Sequence, residues 1–431
     1  MREDIKERIE MIQRGEVPEG YIKTKLGIVP KEWEESRLDK KFKRIDRKNV
    51  EGNSNVLTIS AQYGLISQET FFNKSIASED KSNYYLLEKG EFAYNKSYST
   101  GYPFGAIKQL EYYEKGIVSP LYICFSKKDE DINTMYYSYY FESGRLNKEI
   151  QAFAQEGARN HGLLNIGIND FFAVRLCIAS KKEQEKIVDI LDMFERKVYL
   201  NQRLILEKQK QQKWFLQNYL TGKKRIREYS KEWKVVKLSD VLVEMKIKNE
   251  NQEFKICSVA VQKGVVNQEE HLGRSYAASD TSNYSVVSFG DIVYTKSPTG
   301  DFPYGIIKQS MILENVAVSP LYGVFKPRNN NIGYIIYSFF QNKSNVYNFL
   351  HPIVHKGAKN TINISNETFL AQKLLLPMDI EEQSDMANFL SQMSKEIELL
   401  QQDLEQIKLE KKAMMQLLLT GIIRVDQKGD E

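Results

Sequence analysis

The sequence predicts an α+β protein in which two copies of one strand-rich domain are separated by two long antiparallel coiled-coil helices with pseudo-two-fold symmetry. Three observations favour this fold. Landmarks of the first half recur about 200 residues later, both halves contain short apolar segments broken by turn residues, and each half ends in a long charged helix. A period of this length is too large for a solenoid, so it describes a duplicated domain with its connector.

Short identical segments define the repeat and its register. Lys-Glu-Trp occurs at 31–33 and 231–233, and Val-Ser-Pro-Leu-Tyr occurs at 118–122 and 318–322. Further matches are Ser-Asn-Tyr at 82–84 and 282–284, Ile-Lys-Gln at 107–109 and 307–309, and Leu-Thr-Gly at 220–222 and 419–421. The duplication therefore spans nearly the whole chain.

The composition is that of a globular protein. Of 431 residues, 42% are hydrophobic and 27% are charged, and the net charge is +4. A charge this small means that an anionic partner must be bound by local basic patches. Cys124, Cys177 and Cys257 are isolated, which argues against a disulfide framework or a zinc site. No apolar run reaches the roughly 18 residues of a membrane span and the acidic start is no signal peptide, so we expect a cytoplasmic protein.

Within each repeat, a strand-rich region comes first. Apolar and aromatic segments alternate with Gly, Asn, Ser and Pro at intervals of about ten residues, a pattern typical of a strand-rich α+β domain. Predicted strands are 56–60, 91–95 and 117–125 in the first copy and 255–259, 291–295 and 316–325 in the second, and predicted helices are 135–142 and 333–341.

A long charged helix then closes each repeat. From Met386 to Leu418, mostly apolar residues follow alternating steps of three and four, which is the seam of a heptad repeat. The same register in the first copy is interrupted by three polar residues, Asn201, Lys208 and Gln212. Each helix is about 40 residues, or roughly 60 Å, long. We expect the two helices to pair antiparallel and to hold the domains at opposite ends, and the alternative is that each helix packs on its own domain.

The predicted domain boundaries follow from the alternation of strand-rich regions and long charged helices, and each helix is predicted to end at a glycine, Gly222 or Gly421. They are an N-terminal helical segment at 1–20, the first strand-rich domain at 21–180, a central spacer helix at 181–222, the second domain at 223–378, a C-terminal spacer helix at 379–422 and a tail at 423–431.

Motifs for catalysis are missing from the sequence. It contains no G-x-x-x-x-G-K-[ST] phosphate loop, no G-x-G-x-x-G turn, no H-E-x-x-H and no Cys pair. The Asn-Pro-Pro-Tyr or Asp-Pro-Pro-Tyr sequence of an amino-group methyltransferase is missing too. His351 and His355 are spaced i, i+4 but lack a third ligand, so surface positions are favoured over a metal site. These absences predict a non-catalytic chain with no metal or cofactor of its own.

What recurs instead is a loop rich in basic, hydroxyl and aromatic residues that follows a predicted strand. It runs as Lys-Ser-Tyr-Ser-Thr-Gly-Tyr-Pro-Phe-Gly-Ala-Ile-Lys at 96–108 and as Lys-Ser-Pro-Thr-Gly-Asp-Phe-Pro-Tyr-Gly-Ile-Ile-Lys at 296–308. Such a loop can place ammonium, hydroxyl and backbone N–H groups against phosphates. The candidate DNA-binding residues in it are Lys96, Ser97, Lys108, Lys296, Ser297 and Lys308.

A second loop adds a cation beside an asparagine. Gly-Ala at 157–158 precedes Arg159, Asn160 and His161, and Gly-Ala at 357–358 precedes Lys359, Asn360 and Thr361. Arg can bind guanine bidentately and Asn can bind adenine. One such loop is more often solvated than functional, but recurrence of both loops beside a rigid spacer favours DNA binding.

Together these segments resemble the specificity (S) subunits of type I restriction-modification systems. The stretch from 90–97 through 118–122 is similar to a common type of target recognition domain. Residues 376–377 and 382–383, followed by the helix that ends in Leu-Thr-Gly at 419–421, are similar to the spacer region of that family. Residues 20–33 are similar to its entry into the first recognition domain, so the resemblance covers nearly the whole chain.

The resemblance implies an adaptor without catalytic function. One S subunit would bind two modification methyltransferase subunits along its spacer helices, and each recognition domain would read one half of a bipartite double-stranded DNA site. The partners would bring S-adenosylmethionine and methylate adenine, and added restriction subunits would use ATP and Mg to translocate and cleave DNA. The helices would set the distance between half-sites, as dimer geometry does in simpler DNA-binding proteins.

Two other classes of protein remain open at this point. A coiled-coil scaffold that binds only proteins would share the spacer helices, and salt-dependent DNA binding by the purified complex would distinguish the two. A nuclease with its own active site would need a carboxylate cluster common to both repeats. Asp80 coincides with Asp280 and Glu91 with Asp291, but neither pair has a P-D-x-n-[DE]-x-K context.

Overall fold

The structure is a computed structural model that describes residues 3–60, 63–69, 81–156, 164–273, 277–356 and 362–425. The chain forms two compact units. Unit 1 comprises Met1–Leu200 and Leu404–Glu431, and unit 2 comprises Asn201–Asp403. Each unit therefore holds one copy of the strand-rich domain together with part of each long helix.

Unit 1 begins with a short helix and continues with fourteen strands in its described residues. The strands are β1 (Tyr21–Thr24), β2 (Gly27–Pro30), β3 (Glu34–Arg37), β4 (Phe42–Ile45), β5 (Leu57–Ser60), β6 (Gly64–Ser67), β7 (Tyr85–Glu88), β8 (Phe92–Asn95), β9 (Ala106–Gln109), β10 (Lys115–Val118), β11 (Ile123–Lys127), β12 (Gln155–Glu156), β13 (Leu164–Asn165) and β14 (Arg175–Ile178). The helices are α1 (Glu3–Gln13), α2 (Leu38–Lys41), α3 (Thr134–Glu142), α4 (Asn147–Phe153), α5 (Ile168–Ala173) and the start of α6 (Lys181–Tyr219).

Unit 2 broadly repeats the order that unit 1 has from β3 onward. Its strands are β15 (Lys234–Lys237), β16 (Leu242–Glu244), β17 (Ile256–Ala260), β18 (Gly264–Asn267), β19 (Ser285–Val287), β20 (Ile292–Tyr294), β21 (Ile307–Gln309), β22 (Val316–Val318), β23 (Gly323–Pro327), β24 (His355–Lys356), β25 (Ile362–Asn363) and β26 (Lys373–Leu376). Its helices are α7 (Gln268–Leu272), α8 (Asn330–Phe340), α9 (Lys343–Leu350), α10 (Asn366–Leu370) and most of α11 (Ile380–Leu419), with a 3₁₀ turn at Leu238–Asp240.

The same four-stranded antiparallel sheet forms in both units. Its order is β4-β11-β8-β9 in unit 1 and β16-β23-β20-β21 in unit 2. Separate antiparallel pairs join an early strand of each domain to its last strand, β3 with β14 and β15 with β26. Since those strands lie far apart in sequence, their pairing closes each domain just before its spacer helix begins.

One sequence-based strand prediction was wrong in the same way in both copies. The predicted strand at 117–125 is two strands, β10 and β11, separated by a turn at 119–122, and 316–325 is likewise divided into β22 and β23. Pro120 and Pro320 have no N–H to donate to a sheet, and the N–H of Tyr122 bonds the carbonyl of Ser119 at 3.1 Å instead.

The two domain cores share part of their packing and differ in the rest. The ring pair Tyr94–Phe171 of unit 1, 4.8 Å between centroids, recurs in unit 2 as Tyr294–Phe369 at 5.2 Å. Phe92, which stacks on Phe125 at 5.3 Å, is replaced by the buried Ile292. Helix α3 of unit 1 buries Tyr139 and Tyr140, whereas α8 of unit 2 buries Ile335 and Ile336. The fold therefore depends on apolar volume at set positions rather than on particular side chains.

The long helices pair with each other in both units. In unit 1, Ile187 and Leu191 of α6 share a buried cluster with Leu418 of α11, and Lys411 forms an ion pair with Glu195. In unit 2, the rings of Phe215 and Phe389 lie 4.4 Å apart. As residue numbers rise along α6, those of its partners on α11 fall, so the pairing is antiparallel and the predicted fold class is confirmed.

Each polar interruption of the α6 seam has a polar partner on α11. Within unit 2, the Asn201 amide donates to Asp403 at 2.8 Å, Lys208 pairs with Glu396 at 2.6 Å, and the Gln212 amide donates to Ser394 at 2.8 Å. A polar group placed opposite an apolar seam residue would lose its hydrogen bonds. The three pairs therefore penalise a shift of one helix along the other, as single polar residues do in coiled coils.

A buried carboxylate ties each domain to the helix pair. In unit 1, Glu183 at the start of α6 is 0% exposed, accepts from Trp33 Nε1 at 2.9 Å, and accepts from Arg424 Nε at 2.7 Å. We call this set the Trp-Glu-Arg junction. Unit 2 repeats it, because Glu382 at the start of α11 accepts from Trp233 Nε1 at 3.0 Å and from Arg225 Nε at 2.8 Å.

The sequence contains signals for this junction that were not used to predict it. Both tryptophans belong to the repeated Lys-Glu-Trp, both glutamates precede a glutamine in the first helical turn, and both arginines lie three residues after the glycine that ends a spacer helix. Their meeting depends on the pairing of the helices, which places the end of one beside the start of the other.

Replacing Arg424 by methionine should destabilise unit 1 by about 3–5 kcal/mol, because it leaves the buried Glu183 carboxylate without its counter-ion. Urea unfolding of the purified chain measures this free energy. Arg37→Met is the control, since Arg37 forms an exposed 2.8 Å pair with Asp39 and its loss should cost less than about 1 kcal/mol. Equal effects of the two substitutions would show that the junction does not stabilise the fold.

Candidate nucleic-acid interface

Several loops leave one edge of the four-stranded sheet in unit 1. Ile123 at the start of β11 pairs with Tyr94 near the end of β8, and Cys124 pairs with Ile45 at the end of β4. Asn95 pairs with Ala106 at the start of β9. The segments 46–49, 96–105 and 119–122 therefore emerge together, and we call this the loop edge of unit 1.

The stems of the two predicted DNA-binding loops meet at this edge. The N–H of Leu164, where β13 begins, donates to the carbonyl of Lys96 at 3.0 Å, and β13 pairs with β12 as a short hairpin. Arg159, Asn160 and His161, together with Lys359, Asn360 and Thr361, lie outside the described residues. The structure thus brings the first loop beside the stem of the second in unit 1.

Unit 2 has the equivalent loop edge. Gly323 at the start of β23 pairs with Tyr294 at the end of β20, and Tyr294 pairs with Ile307 at the start of β21. The segments 245–249, 296–305 and 319–322 emerge there. The duplication of sequence is therefore a duplication of this edge.

Two glycines allow the first loop to fold back tightly onto the strand it follows. Gly105 has φ +81°, and a Cβ atom there would clash with the Asn95 carbonyl and the Tyr94 ring. Gly305 has φ +88° and lies against the backbone N of Lys296 in the same way. A tyrosine holds the end of the loop against the strand in each copy. The Tyr94 hydroxyl donates to the Phe104 carbonyl at 2.7 Å, and the Tyr294 hydroxyl donates to the Tyr304 carbonyl at 2.8 Å.

The first residues of these loops are accessible to a ligand in part. Lys96, Ser97 and Lys296 are half-buried, and Ser297 is exposed. Lys296 adopts φ +50°, a left-handed conformation that a non-glycine residue seldom takes. Burial lowers its pKa, while Glu244 nearby acts in the opposite direction.

The two lysines that end the loops are directed into the fold. Lys108 Nζ lies 2.5 Å from Glu142 at the end of α3 and 3.3 Å from the Tyr102 hydroxyl. Direct contact with DNA would require this ion pair to open. In the conformation described, Lys108 fastens the loop to α3.

Lys308 occupies the equivalent position without equivalent partners. Phe302 stands where unit 1 has Tyr102 and has no hydroxyl. The helix caps Asn133 of α3 and Asn329 of α8 align Glu142 with Ser338, so the carboxylate is not present either. Lys308 is 6% exposed, and its Nζ lies 5.3 Å from the centre of the Tyr337 ring. Burial lowers the pKa of its ammonium group to about 8.

A lysine that was not predicted lies at each loop edge. Lys48 Nζ donates to the Asn83 carbonyl at 2.8 Å and lies 4.3 Å from the Tyr85 ring centre, and Lys248 Nζ donates to Ser285 Oγ at 3.1 Å. Both are exposed and both precede a buried asparagine. The Lys-Asn pairs at 48–49 and 248–249 were a repeated signal that could have identified them.

The described residues contain no group of three or more His, Cys, Asp and Glu side chains that could hold a metal ion. Among those same residues, the helices lack a stretch of apolar sequence long enough for a bilayer crossing.

The two tandem domains thus carry matched loop edges. Both repeats match the model of the type I restriction modification DNA specificity domain, over residues 30–209 and 230–409. The chain belongs to this family. The resemblance inferred from the sequence is confirmed, and so is its role as a DNA sequence-specificity subunit that recognises DNA and does not catalyse.

Solved structures support the fold. One is the S subunit of a type I restriction-modification system from M. genitalium, with 12% sequence identity and a TM-score of 0.52 over 90% of this chain and 96% of that chain. Another comes from work on the structural basis underlying complex assembly and conformational transition of the type I R-M system, with 13% identity and a TM-score of 0.52 over 92% of this chain and 99% of that chain.

The buried Lys308 should make the stability of unit 2 depend on pH. Its folded pKa of about 8 lies below the unfolded value of about 10.4, so the charged side chain lowers stability below pH 8 and this cost disappears as the pH rises to about 10.4. The difference between wild type and Lys308→Met in the free energy of unfolding should therefore change by up to about 3 kcal/mol across this window.

Unfolding by urea at several pH values within the window measures this difference. Lys246→Met is the control, because Lys246 is exposed and its removal should leave the pH dependence as in the wild type. Parallel pH profiles for wild type and Lys308→Met would contradict the prediction.

Proposed function

We propose that this chain is the specificity subunit of a type I restriction-modification complex in which each domain reads one half of a bipartite DNA site. The domains are the predicted segments 21–180 and 223–378, and the complex works in the cytoplasm. The observation that carries the proposal is the loop edge, which recurs with the same strands, the same lysines and the same turn in both units.

Contacts with DNA are made by the residues of the two predicted loops. Lys96, Ser97, Lys296 and Ser297 lie at the described loop edges, and Arg159, Asn160, His161, Lys359, Asn360 and Thr361 complete the set. Lys48 and Lys248 add phosphate contacts, since they are exposed cations beside the same loops. Lys108 and Lys308 act from within the fold by setting the position of the loop that binds DNA.

The spacer helices bind two methyltransferase subunits. Large apolar side chains are exposed along α6, at Met193, Tyr199, Leu200, Leu204 and Leu206. Met193 and Leu200 lie seven positions apart and so on one face of α6, which a partner subunit can cover. The partner subunits supply S-adenosylmethionine and methylate adenine, and restriction subunits that join them use ATP and Mg.

Alanine substitution of Arg159 and Asn160 should damage recognition of one half-site and leave preference at the other half unchanged. Loss of a good bidentate base contact costs about 1–3 kcal/mol. Selection of bound sequences from randomised duplexes, with the assembled complex, measures each half-site separately.

The matched control is the same substitution at Lys359 and Asn360, which should affect the other half alone. Equal damage to both halves by either variant, or none by both, would show that these loops do not read DNA locally. Binding that is indifferent to salt would instead favour the protein scaffold.

Removing one heptad from each spacer helix should shorten the gap between half-sites. The segments 202–208 and 396–402 face each other in unit 2, because Asn201 bonds Asp403 at one end and Lys208 pairs with Glu396 at the other. Deleting both shortens the pair by about 10 Å. With DNA rising about 3.4 Å per base pair, the preferred gap should fall by roughly three base pairs.

Selection from duplexes with random gap lengths is the measurement, because the rotation that accompanies the deletion can abolish activity on the original site. A variant with the same fourteen positions replaced by other heptad-compatible residues, at about the original length, should keep the original gap. Recovery of the original gap by the deletion variant would mean that the helices do not set the spacing.

A further inference from the structure

The two loop edges share an exposed leucine that is not among the candidate DNA-binding residues. Leu121 is 61% exposed and Leu321 is 74% exposed, and both lie in the repeated Val-Ser-Pro-Leu-Tyr. A single exposed leucine is ordinary on a protein surface. The leucine is exposed in both copies, although other features of unit 1, such as the Lys108–Glu142 ion pair, are not repeated in unit 2. This repetition indicates that the leucine has the same role in both domains.

The turn holds this leucine in a defined position. Ser119 accepts twice, with its carbonyl from the N–H of Tyr122 at 3.1 Å and with its Oγ from the N–H of Leu121 at 3.3 Å. Ser319 accepts the equivalent bonds from Tyr322 at 3.0 Å and from Leu321 at 3.3 Å. Pro120 and Pro320, which lie between the serine and the leucine, have a fixed φ angle. A side chain carried by such a turn loses little entropy when it binds.

Cations lie on both sides of the leucine. In unit 1, the residues before Ile123 run opposite those after Tyr94, which places the turn beside Lys96. On the other side, Val118 and Lys48 both pair with Tyr85. Unit 2 has the same arrangement, since Val318 and Lys248 both pair with Ser285.

This combination fits DNA better than a protein partner. Lysines on either side can contact phosphates of the two strands that border a groove, while an apolar side chain between them reaches a thymine methyl group or a base step. Protein interfaces, in contrast, are depleted in lysine. The lysines around the leucine therefore favour DNA over a protein as the binding partner.

We propose that Leu121 and Leu321 are apolar DNA contacts, each inserting into the groove of the half-site that its own domain reads. The inference rests on the proposed function and adds to it a specificity-determining position in each domain. It assigns to the leucine the contact with base edges and to the flanking lysines the contact with the backbone.

The test uses the full chain assembled with its methyltransferase subunits. Leu121→Ser and Leu321→Ser should each weaken binding to a duplex that carries the complete site by about tenfold, the effect of losing one buried leucine side chain. Sequence selection should show relaxed preference only in the half-site of the altered domain. Leu→Met at either position should restore most of the affinity, since methionine keeps the apolar contact.

Leu313→Ser is the matched control. Leu313 is 84% exposed in the segment between β21 and β22, which leaves the opposite edge of the sheet in unit 2. Its substitution should change neither affinity nor preference. A fall in affinity equal to that of Leu321→Ser would mean that the effect is not local to the turn and would overturn the inference.

Two further outcomes would overturn it. Wild-type affinity and preference in both serine variants would show that the leucines do not contact DNA. Weaker assembly with methyltransferase subunits, with unchanged DNA affinity once assembled, would identify the turn as a protein-docking site. If the wild-type complex itself shows no site-specific binding, the proposed function fails, and that result is distinct from failure of the leucine variants alone.

Discussion

The Trp-Glu-Arg junction is the constraint on which the rest of the fold depends. A carboxylate with no exposure to water must be compensated by charge and hydrogen bonds, and in each unit it has an indole N–H and a guanidinium. These three groups come from the start of a domain, the start of the helix that follows it, and the segment that follows the other helix. Satisfying one buried charge therefore fixes three segments at once.

This arrangement makes unit 1 depend on the last described residues of the chain. Glu183 and Arg424 are separated by 241 positions, whereas Arg225 and Glu382 in unit 2 are separated by 157. Contacts between distant residues form late because the intervening chain must first be ordered. The first domain to be synthesised is therefore completed only after the second spacer helix is available, and the junction couples the formation of the helix pair to that of the domain.

Much of the fold followed from the sequence because the duplication supplied two independent views of each element. The heptad steps from Met386 to Leu418 predicted a pairing helix correctly. From the sequence, Asn201, Lys208 and Gln212 appeared only to weaken the first seam. Their polar partners lie on the other long helix, about 200 residues away, and no local sequence pattern predicts these partners. The strand predicted at 117–125 was wrong because its apolar pattern outweighed the single proline at its centre.

The candidate site was less predictable for a similar reason. The repeated loop sequence predicted Lys108 as a basic loop residue. The direction of its side chain, however, depends on Glu142, which lies at the end of helix α3. The six residues at 159–161 and 359–361 lie outside the described residues, so their part in DNA binding stays a prediction. Leu121 was not predicted because the candidates were chosen for polar or basic side chains. Its position beside Lys96 follows only from the strand register in the structure.

The differences between the two copies show how such a protein can change its specificity without losing its fold. The junction, the sheet order and the leucine turn are kept in both units, while Lys308, unlike Lys108 with Glu142, has no carboxylate partner among the described residues. The junction and the sheet stabilise the scaffold through buried contacts, for which the cost of change is large. The changed features lie in and under the loops, where the loss of the Glu142 carboxylate alters the position of the groups proposed to contact DNA. Divergence of the two half-sites is therefore expected to arise first at the loop edges, on a scaffold that both domains retain.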